Sequence, residues 1–344
     1  MRRVLVARQD SNGDVLLAGP AVRAVAASGA PVTMLCGPRG EQAARLLPGV
    51  ASVLVHEAEW IDPEPAPVSR AVVMELLDLL AAQRIDEAII LTSFHQSPLP
   101  LALLLRLAGV PFVAATSVDY PGSLLDVRHR ISDEVHEVER SLSLVAACGH
   151  RLAAGDDGAL RVRLDGPAIV PQLPEADYVV VHPGASAPAR AWAPERYKAL
   201  VGALRADGLH VVVTGSPGER ALTRRVAGCG DDGVSDFGGL TDLAGLAHVL
   251  RGAAASVVGN TGPAHLAAAV GTPVVSLFAP TVPAVRWRPW MVPSEVLWAD
   301  VPCAGCRARE CPVPGHPCLA GVEVAEVRRA IERLTRMPLA VSIA

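Results

Sequence analysis

Asp14 closes the stretch Ser11-Asn12-Gly13-Asp14, which follows a short apolar run at residues 3–7 and precedes apolar residues at helical spacing from 15 to 28. Gly13 lets the backbone turn tightly there, and a carboxylate just past a strand end faces the region where open α/β sheets collect ligands. Such a carboxylate can accept the proton of an attacking hydroxyl. It also suits the first turn of a helix, where acids are stabilised by unpaired N–H groups. Position alone favours the cap, and both roles stay open on these residues.

Three further stretches have the composition of an anion site. His182-Pro183-Gly184-Ala185-Ser186 follows an apolar run, and its glycine, its Ser186 hydroxyl and the nearby Arg190 guanidinium together suit a diphosphate. Taken singly, Arg190 reads first as a solvated loop residue, and the stretch from Trp192 to Glu195 reads also as the start of a helix with Pro194 near its first turn. Asn260-Thr261-Gly262-Pro263-Ala264-His265 offers a capping residue, an early proline and the positive end of a helix, with His265 inside its opening residues. A histidine so placed serves either structure or anion binding. Between these two lies Thr214-Gly215-Ser216-Pro217-Gly218-Glu219, whose carboxylate is placed either to bind the hydroxyls of a ribose or to begin a surface helix.

Cys303, Cys306, Cys311 and Cys318 lie close together, with His316 among them. Four thiolates can bind zinc in a closed structural site, but the second C-x-x-C of a zinc ribbon is missing, so reduced thiols or a disulfide are the competing readings.

The elements that must position these residues follow from apolar patterning. Runs at 3–7, 32–36, 52–55, 87–92 and 110–114 alternate with helical segments at 15–28, 72–82 and 99–107. After a stretch at 155–176 that contains glycine, aspartate and proline, the scheme begins again: strands at 178–181, 210–214, 255–258 and 273–278, helices at 194–206, 218–227, 242–251 and 263–270. This is an α/β pattern with two parallel sheets, a junction near 165–177 and a cleft expected between the halves. At 344 residues the chain has room for two such domains, and 51% apolar residues with only 3% aromatics fit cores of Val, Leu, Ala and Ile.

A net charge of −4 provides no general attraction for nucleic acid. The segment 98–116 is interrupted by Arg106 and prolines, so no membrane span is expected, and Arg8 and Asp10 interrupt the start of the chain before a signal-peptide core could form. A soluble, cytoplasmic protein is the expectation. Seven cysteines with four clustered do not make a secreted disulfide framework.

In combination, S-x-G-D-V at 11–15, H-P-G-A-S at 182–186 and T-G-P-x-H-L-A-A-A-x-G-T-P at 261–273, followed by Leu277-Phe278-Ala279-Pro280-Thr281 and the cysteine-bearing tail, resemble glycosyltransferase family 9, the bacterial heptosyltransferases. The resemblance is strongest over 178–290 and weak over about 50–150. It implies a GT-B fold: an acceptor-side Rossmann-like domain at 1–170, a nucleotide-sugar domain at 171–321, and a C-terminal segment at 322–344 whose helix returns to the first domain. It implies Asp14 as general base within the Ser11-Asn12-Gly13 loop, reversing the preference for a cap. Ser186 and Arg190 then fall on the donor phosphates, Glu219 on the ribose, and Asn260, Thr261, Gly262 and His265 around the diphosphate and sugar. Arg190 stands where the family often has Lys, and Asn260 where it often has Asp.

The implied activity is inverting transfer of a sugar, heptose from ADP-heptose, to a glycan, glycolipid or natural-product hydroxyl, with no cofactor or catalytic metal and with peripheral membrane contact compatible. The alternatives are a sugar-nucleotide epimerase of the same fold and a non-catalytic sugar-nucleotide-binding protein.

Overall fold

Short apolar runs bounded by turn residues become strands of two wholly parallel sheets. In the first, β1 (Val4–Ala7), β2 (Val32–Cys36), β3 (Val50–Val55), β4 (Glu87–Ile90), β5 (Phe112–Thr116) and β6 (Val127–His129) are ordered β3-β2-β1-β4-β5-β6. The second holds β7 (Tyr178–His182), β8 (His210–Val213), β9 (Val234–Asp236), β10 (Ala255–Gly259), β11 (Val274–Leu277) and β12 (Ser294–Leu297) in the order β12-β11-β10-β7-β8-β9. Each sheet therefore reverses its order between its first and fourth strands, the arrangement of a Rossmann-like domain. This computed structural model describes residues 2–62, 64–228 and 232–336, and the chain divides into two units, Met1–Arg163 and Leu164–Ala344.

Every residue of β1, β4, β7, β10 and β11 is buried, so both faces of the sheet centres are covered. That is why they read as unbroken apolar runs rather than alternating ones. The exception is Glu87 in β4, fully buried, whose carboxylate meets His150 Nε2 and Arg2 Nη2, each at 3.1 Å. In the second unit Trp192 and Tyr197 meet edge to face with ring centres 5.0 Å apart, inside a core built by β7, β8, β10 and β11 and by the helices Pro194–Ala206 and Val324–Arg336. The last helix buries Val327, Ala330, Ile331 and Leu334 in that core. The helix thus contributes to the core of the second unit; residues 337–344 of the C-terminal segment lie outside the described residues.

The helix expected over 15–28 is two helices, Asn12–Leu17 and Gly19–Ala26. Pro20 has no N–H for the Leu16 carbonyl, which breaks the ladder there. Gly13, expected to turn the backbone, lies inside the first of these helices, is buried, and is absent from the residues with positive φ.

An ion pair closes the first unit. Arg23 donates to both carboxylate oxygens of Asp156, at 2.7 and 2.9 Å, and to the Ala159 carbonyl at 2.7 Å. The Arg23 hydrogen bonds hold the Asp156 carboxyl down at about 2, against a smaller opposing effect of burial. Because the folded-state value lies below the unfolded one, this contribution is complete above about pH 4 and is lost as pH falls towards about 2. We expect Asp156→Asn to cost about 1–2 kcal/mol at pH 7 and about half of that at pH 3. Urea unfolding of both proteins at the two pH values measures it.

Candidate active site

β1 delivers the chain to Arg8 and Asp10, both of which are buried. The Arg8 guanidinium is the hub of a network that gathers four segments. Its Nη2 donates to Asp14 Oδ1 at 3.1 Å and to Ser93 Oγ at 2.7 Å, its Nε stands 2.7 Å from Asp10 Oδ2, and its Nη1 donates to Glu137 Oε2 at 3.4 Å. Ser93 and Gln96 arrive on the loop after β4, the neighbour of β1, and both donate to Asp10. Glu137 opens the helix Glu137–Ala147. The network therefore sits at the order reversal of the first sheet, where ligands of such sheets collect.

Asp14 lies in the first turn of the helix Asn12–Leu17, and the capping position belongs to Ser11. Ser11 Oγ donates to Asp14 Oδ2 at 2.8 Å, so both carboxylate oxygens are oriented, one by Ser11 and one by Arg8. Asn12 fixes the loop from the other side, its Oδ1 accepting the Ala43 N–H at 3.1 Å. Burial disfavours the Arg8 cation, but Asp10, Asp14 and Glu137 together outweigh it and push its pKa up. Burial likewise pushes the Asp10 and Glu137 carboxyls up, against the opposing pull of Arg8.

In the second unit the order reverses between β7 and β10, which lie side by side. β7 ends at His182, whose Nδ1 stands 3.0 Å from Thr214 Oγ1 beyond β8; burial pushes this imidazole down, with Glu219 opposing. The chain then passes Gly184 and the exposed Ser186 to the tight turn Pro188–Arg190. A Cβ on Gly259, the last residue of β10, would stand 3.1 Å from the Arg190 carbonyl oxygen. A side chain at Gly259 would thus press on the Arg190 turn by a few tenths of an ångström.

Beyond β10, Asn260 is buried with its Nδ2 donating to the Ala279 carbonyl at 3.4 Å, and Thr261 holds the cap position of the helix Gly262–Ala269. Asn260 Oδ1, Thr261 Oγ1 and, after β11, Thr281 Oγ1 are buried without a hydrogen-bond partner. Buried polar atoms ordinarily have a partner, so these three beside one helix N-terminus are available to a polar ligand or to water. His265 is buried one turn into that helix. Glu219 accepts from the Ser216 N–H at 2.7 Å and the Ser216 hydroxyl at 2.8 Å with one oxygen, while its other oxygen lies against the Cα side of Gly184. It closes its own turn and also reaches the loop after β7.

The cysteine-bearing segment braces this region. The Ala189 N–H donates to the Arg309 carbonyl at 2.9 Å, and His316 Nε2 donates to the Ala189 carbonyl at 3.0 Å. Gly305 and Arg307 N–H groups donate to the Pro280 and Thr281 carbonyls at 2.7 and 2.9 Å. Cys303, Cys306, Cys311 and Cys318 are free thiols lining one small cavity with Ala189 and Thr281. Among the described residues no three His, Cys, Asp or Glu side chains are arranged to hold a metal ion.

The structure thus places Ser11, Asn12, Gly13 and Asp14 at the reversal point of one sheet. It places Ser186, Arg190, Glu219, Asn260 and Thr261 in the connections that follow β7, β8 and β10 of the other, with Gly262 and His265 in the first turn of the helix after β10. Arg8, Asp10, Ser93, Gln96 and Glu137 were not anticipated. A charge directly following an apolar strand was the available signal for Arg8; its partners Ser93 and Glu137 lie 85 and 129 residues away.

Among the described residues no helix is long and apolar enough to cross a membrane. The family model for glycosyltransferase family 9 (heptosyltransferase) matches residues 75–316. Lipopolysaccharide heptosyltransferase 3 of Escherichia coli is 30% identical over 165 residues, 46% of this chain and 47% of that protein. Lipopolysaccharide heptosyltransferase 1 of Pseudomonas aeruginosa is 35% identical over 181 residues, 51% of this chain and 48% of that one. The chain spans about half the length of these curated relatives. Escherichia coli heptosyltransferase WaaC, solved with ADP, has the same fold: TM-score 0.68 at 22% identity, over 96% of this chain and 97% of that chain. With well over half of its length matched by the family model, and with two Rossmann-like domains, the chain belongs to glycosyltransferase family 9.

Proposed function

We propose that the protein transfers a sugar from a nucleoside diphosphate donor, heptose from ADP-heptose, to a hydroxyl of a glycan, glycolipid or natural-product acceptor, with inversion and without a metal in the step. The observation that carries the donor half is the set of orphaned buried atoms, Asn260 Oδ1, Thr261 Oγ1 and Thr281 Oγ1, around the N-terminus of Gly262–Ala269, beside the Arg190 turn. A diphosphate supplies acceptors for the two threonine hydroxyls and negative charge for the helix end and the guanidinium, while a sugar hydroxyl supplies the donor that Asn260 Oδ1 needs. ADP as the nucleotide is supported by the heptosyltransferase of the same fold solved with it, and an envelope glycolipid as acceptor by the names of the curated relatives.

In the step, Asp14 takes the proton of the acceptor hydroxyl while that oxygen bonds to the anomeric carbon. The bond from that carbon to the diphosphate oxygen breaks on the opposite face, and its electron pair leaves with the nucleoside diphosphate. Arg190, Ser186 and the helix end carry the charge that develops on the leaving group. Glu219 holds the ribose, and Asn260 and His265 border the sugar.

Calorimetry with ADP-, GDP-, UDP- and dTDP-sugars tests the donor: ADP-heptose should bind tightest, and a preference for UDP or dTDP would overturn the heptose assignment while leaving transfer intact. Turnover should be unchanged in excess EDTA. Gly259→Ala should lower ADP affinity about tenfold, because the added methyl forces back the turn that carries Arg190. An unchanged calorimetric isotherm for a folded variant would separate Arg190 from the donor.

A further inference from the structure

We propose that Glu137 and Asp10 act through Arg8 as positioning residues that keep Asp14 both fixed and basic, an inference that rests on Asp14 being the proton acceptor. An arginine bonded to a lone carboxylate orients it but also stabilises its ionised form, which makes it a poorer base. Here the guanidinium is divided. Nε faces Asp10 at 2.7 Å, Nη1 faces Glu137 at 3.4 Å, and Nη2 is shared by Asp14 at 3.1 Å and Ser93 at 2.7 Å. Arg8 faces three carboxylates, so its field at Asp14 is opposed by two negative groups while its hydrogen bond to Asp14 remains.

Burial separates the roles. The side chains of Arg8, Glu137 and Asp10 are 2%, 2% and 9% exposed, and that of Asp14 is 23% exposed. The inner three form a dry setting in which charges act strongly, and Asp14 is the member that reaches outwards. Two further charged groups act on the inner carboxylates: Arg140, whose Nη1 stands 3.6 Å from Glu137 Oε1, and His95, which acts on Asp10. Both temper those carboxylates, and Arg8 donates to Asp14. The groups are coupled: the Asp14 charge is among the causes that push the Asp10 and Glu137 carboxyls up.

An ion cluster that only held the fold, without coupling to Asp14, would lose stability on substitution and leave the titration of Asp14 in place. The tuning role fixes the direction. In full-length protein labelled with carboxyl-13C aspartate, with the Asp14 signal assigned by its loss in Asp14→Asn, the isosteric variants Glu137→Gln and Asp10→Asn should each lower the Asp14 titration midpoint, by about one pH unit. Two variants on different elements keep the measurement decisive if one fails to fold. A midpoint that stays in place or rises in the folded variants overturns the proposal. Failure of the base assignment has its own readout: if Asp14→Asn keeps normal transfer from ADP-heptose, Asp14 is not the proton acceptor, whatever the midpoints show, and the proposal falls with it.

Discussion

Asp14→Asn should lower turnover by about 10²–10⁴-fold, the usual contribution of a positioned general base, and leave nucleotide affinity unchanged. The amide has the shape of the carboxylate and keeps an oxygen for Arg8, but it cannot take a proton. The rest of the network is built to survive the change: Arg8 retains Asp10 at 2.7 Å and Glu137 at 3.4 Å, so its buried charge is not left alone. Loss of activity should therefore occur in a folded protein with intact donor binding, which circular dichroism and ADP calorimetry verify alongside the rate. Near-normal turnover would remove Asp14 from the chemistry and leave it as an acid in a helical first turn. An equal fall in ADP affinity would mean that the loop matters to the donor.

The central strands were legible because a parallel sheet buried on both faces leaves a short apolar run and little else; β1, β7 and β10 each carry one. Strands β6 and β9 were not. Val127-Arg128-His129 and Val234-Ser235-Asp236 are only half buried, so their composition matches that of a loop. The break at Pro20 was missed because the apolar spacing of 15–28 runs through it, and periodicity does not register a lost N–H.

The site divides in the same way. Residues such as Ser186, Asn260 and Thr261 stand in contiguous loops whose glycines, hydroxyls and following helix are neighbours in sequence, so their chemistry shows locally. The Arg8 network is assembled by the sheet: Ser93 and Glu137 meet Arg8 because β4 lies beside β1 and the helix Glu137–Ala147 begins at its end. No spacing rule reaches across 129 residues. Arg8 and Asp10 were therefore noticed only as charges interrupting an apolar start. The structure turns them into the setting of Asp14.

Arg190→Met should lower kcat by about 10²–10³-fold, the range for removing one group that stabilises developing charge. The substitution is informative because the backbone of the turn has anchors of its own. The backbone of Pro188–Arg190 is held by the Ala189 bonds to Arg309 and His316 and by the close approach to Gly259. What is lost is the cation. Charge on the leaving diphosphate grows as the bond to the anomeric carbon breaks, so the loss should fall mainly on kcat, with a smaller rise in KM. Arg190→Lys should recover part of the rate, since it restores the charge without the planar fork that grips two phosphate oxygens at once. Steady-state kinetics with ADP-heptose on the three proteins distinguishes the possibilities. A rise in KM alone would make Arg190 a binding contact, felt equally in ground and transition states. The leaving-group role would then pass to the helix end at Thr261 and to Ser186.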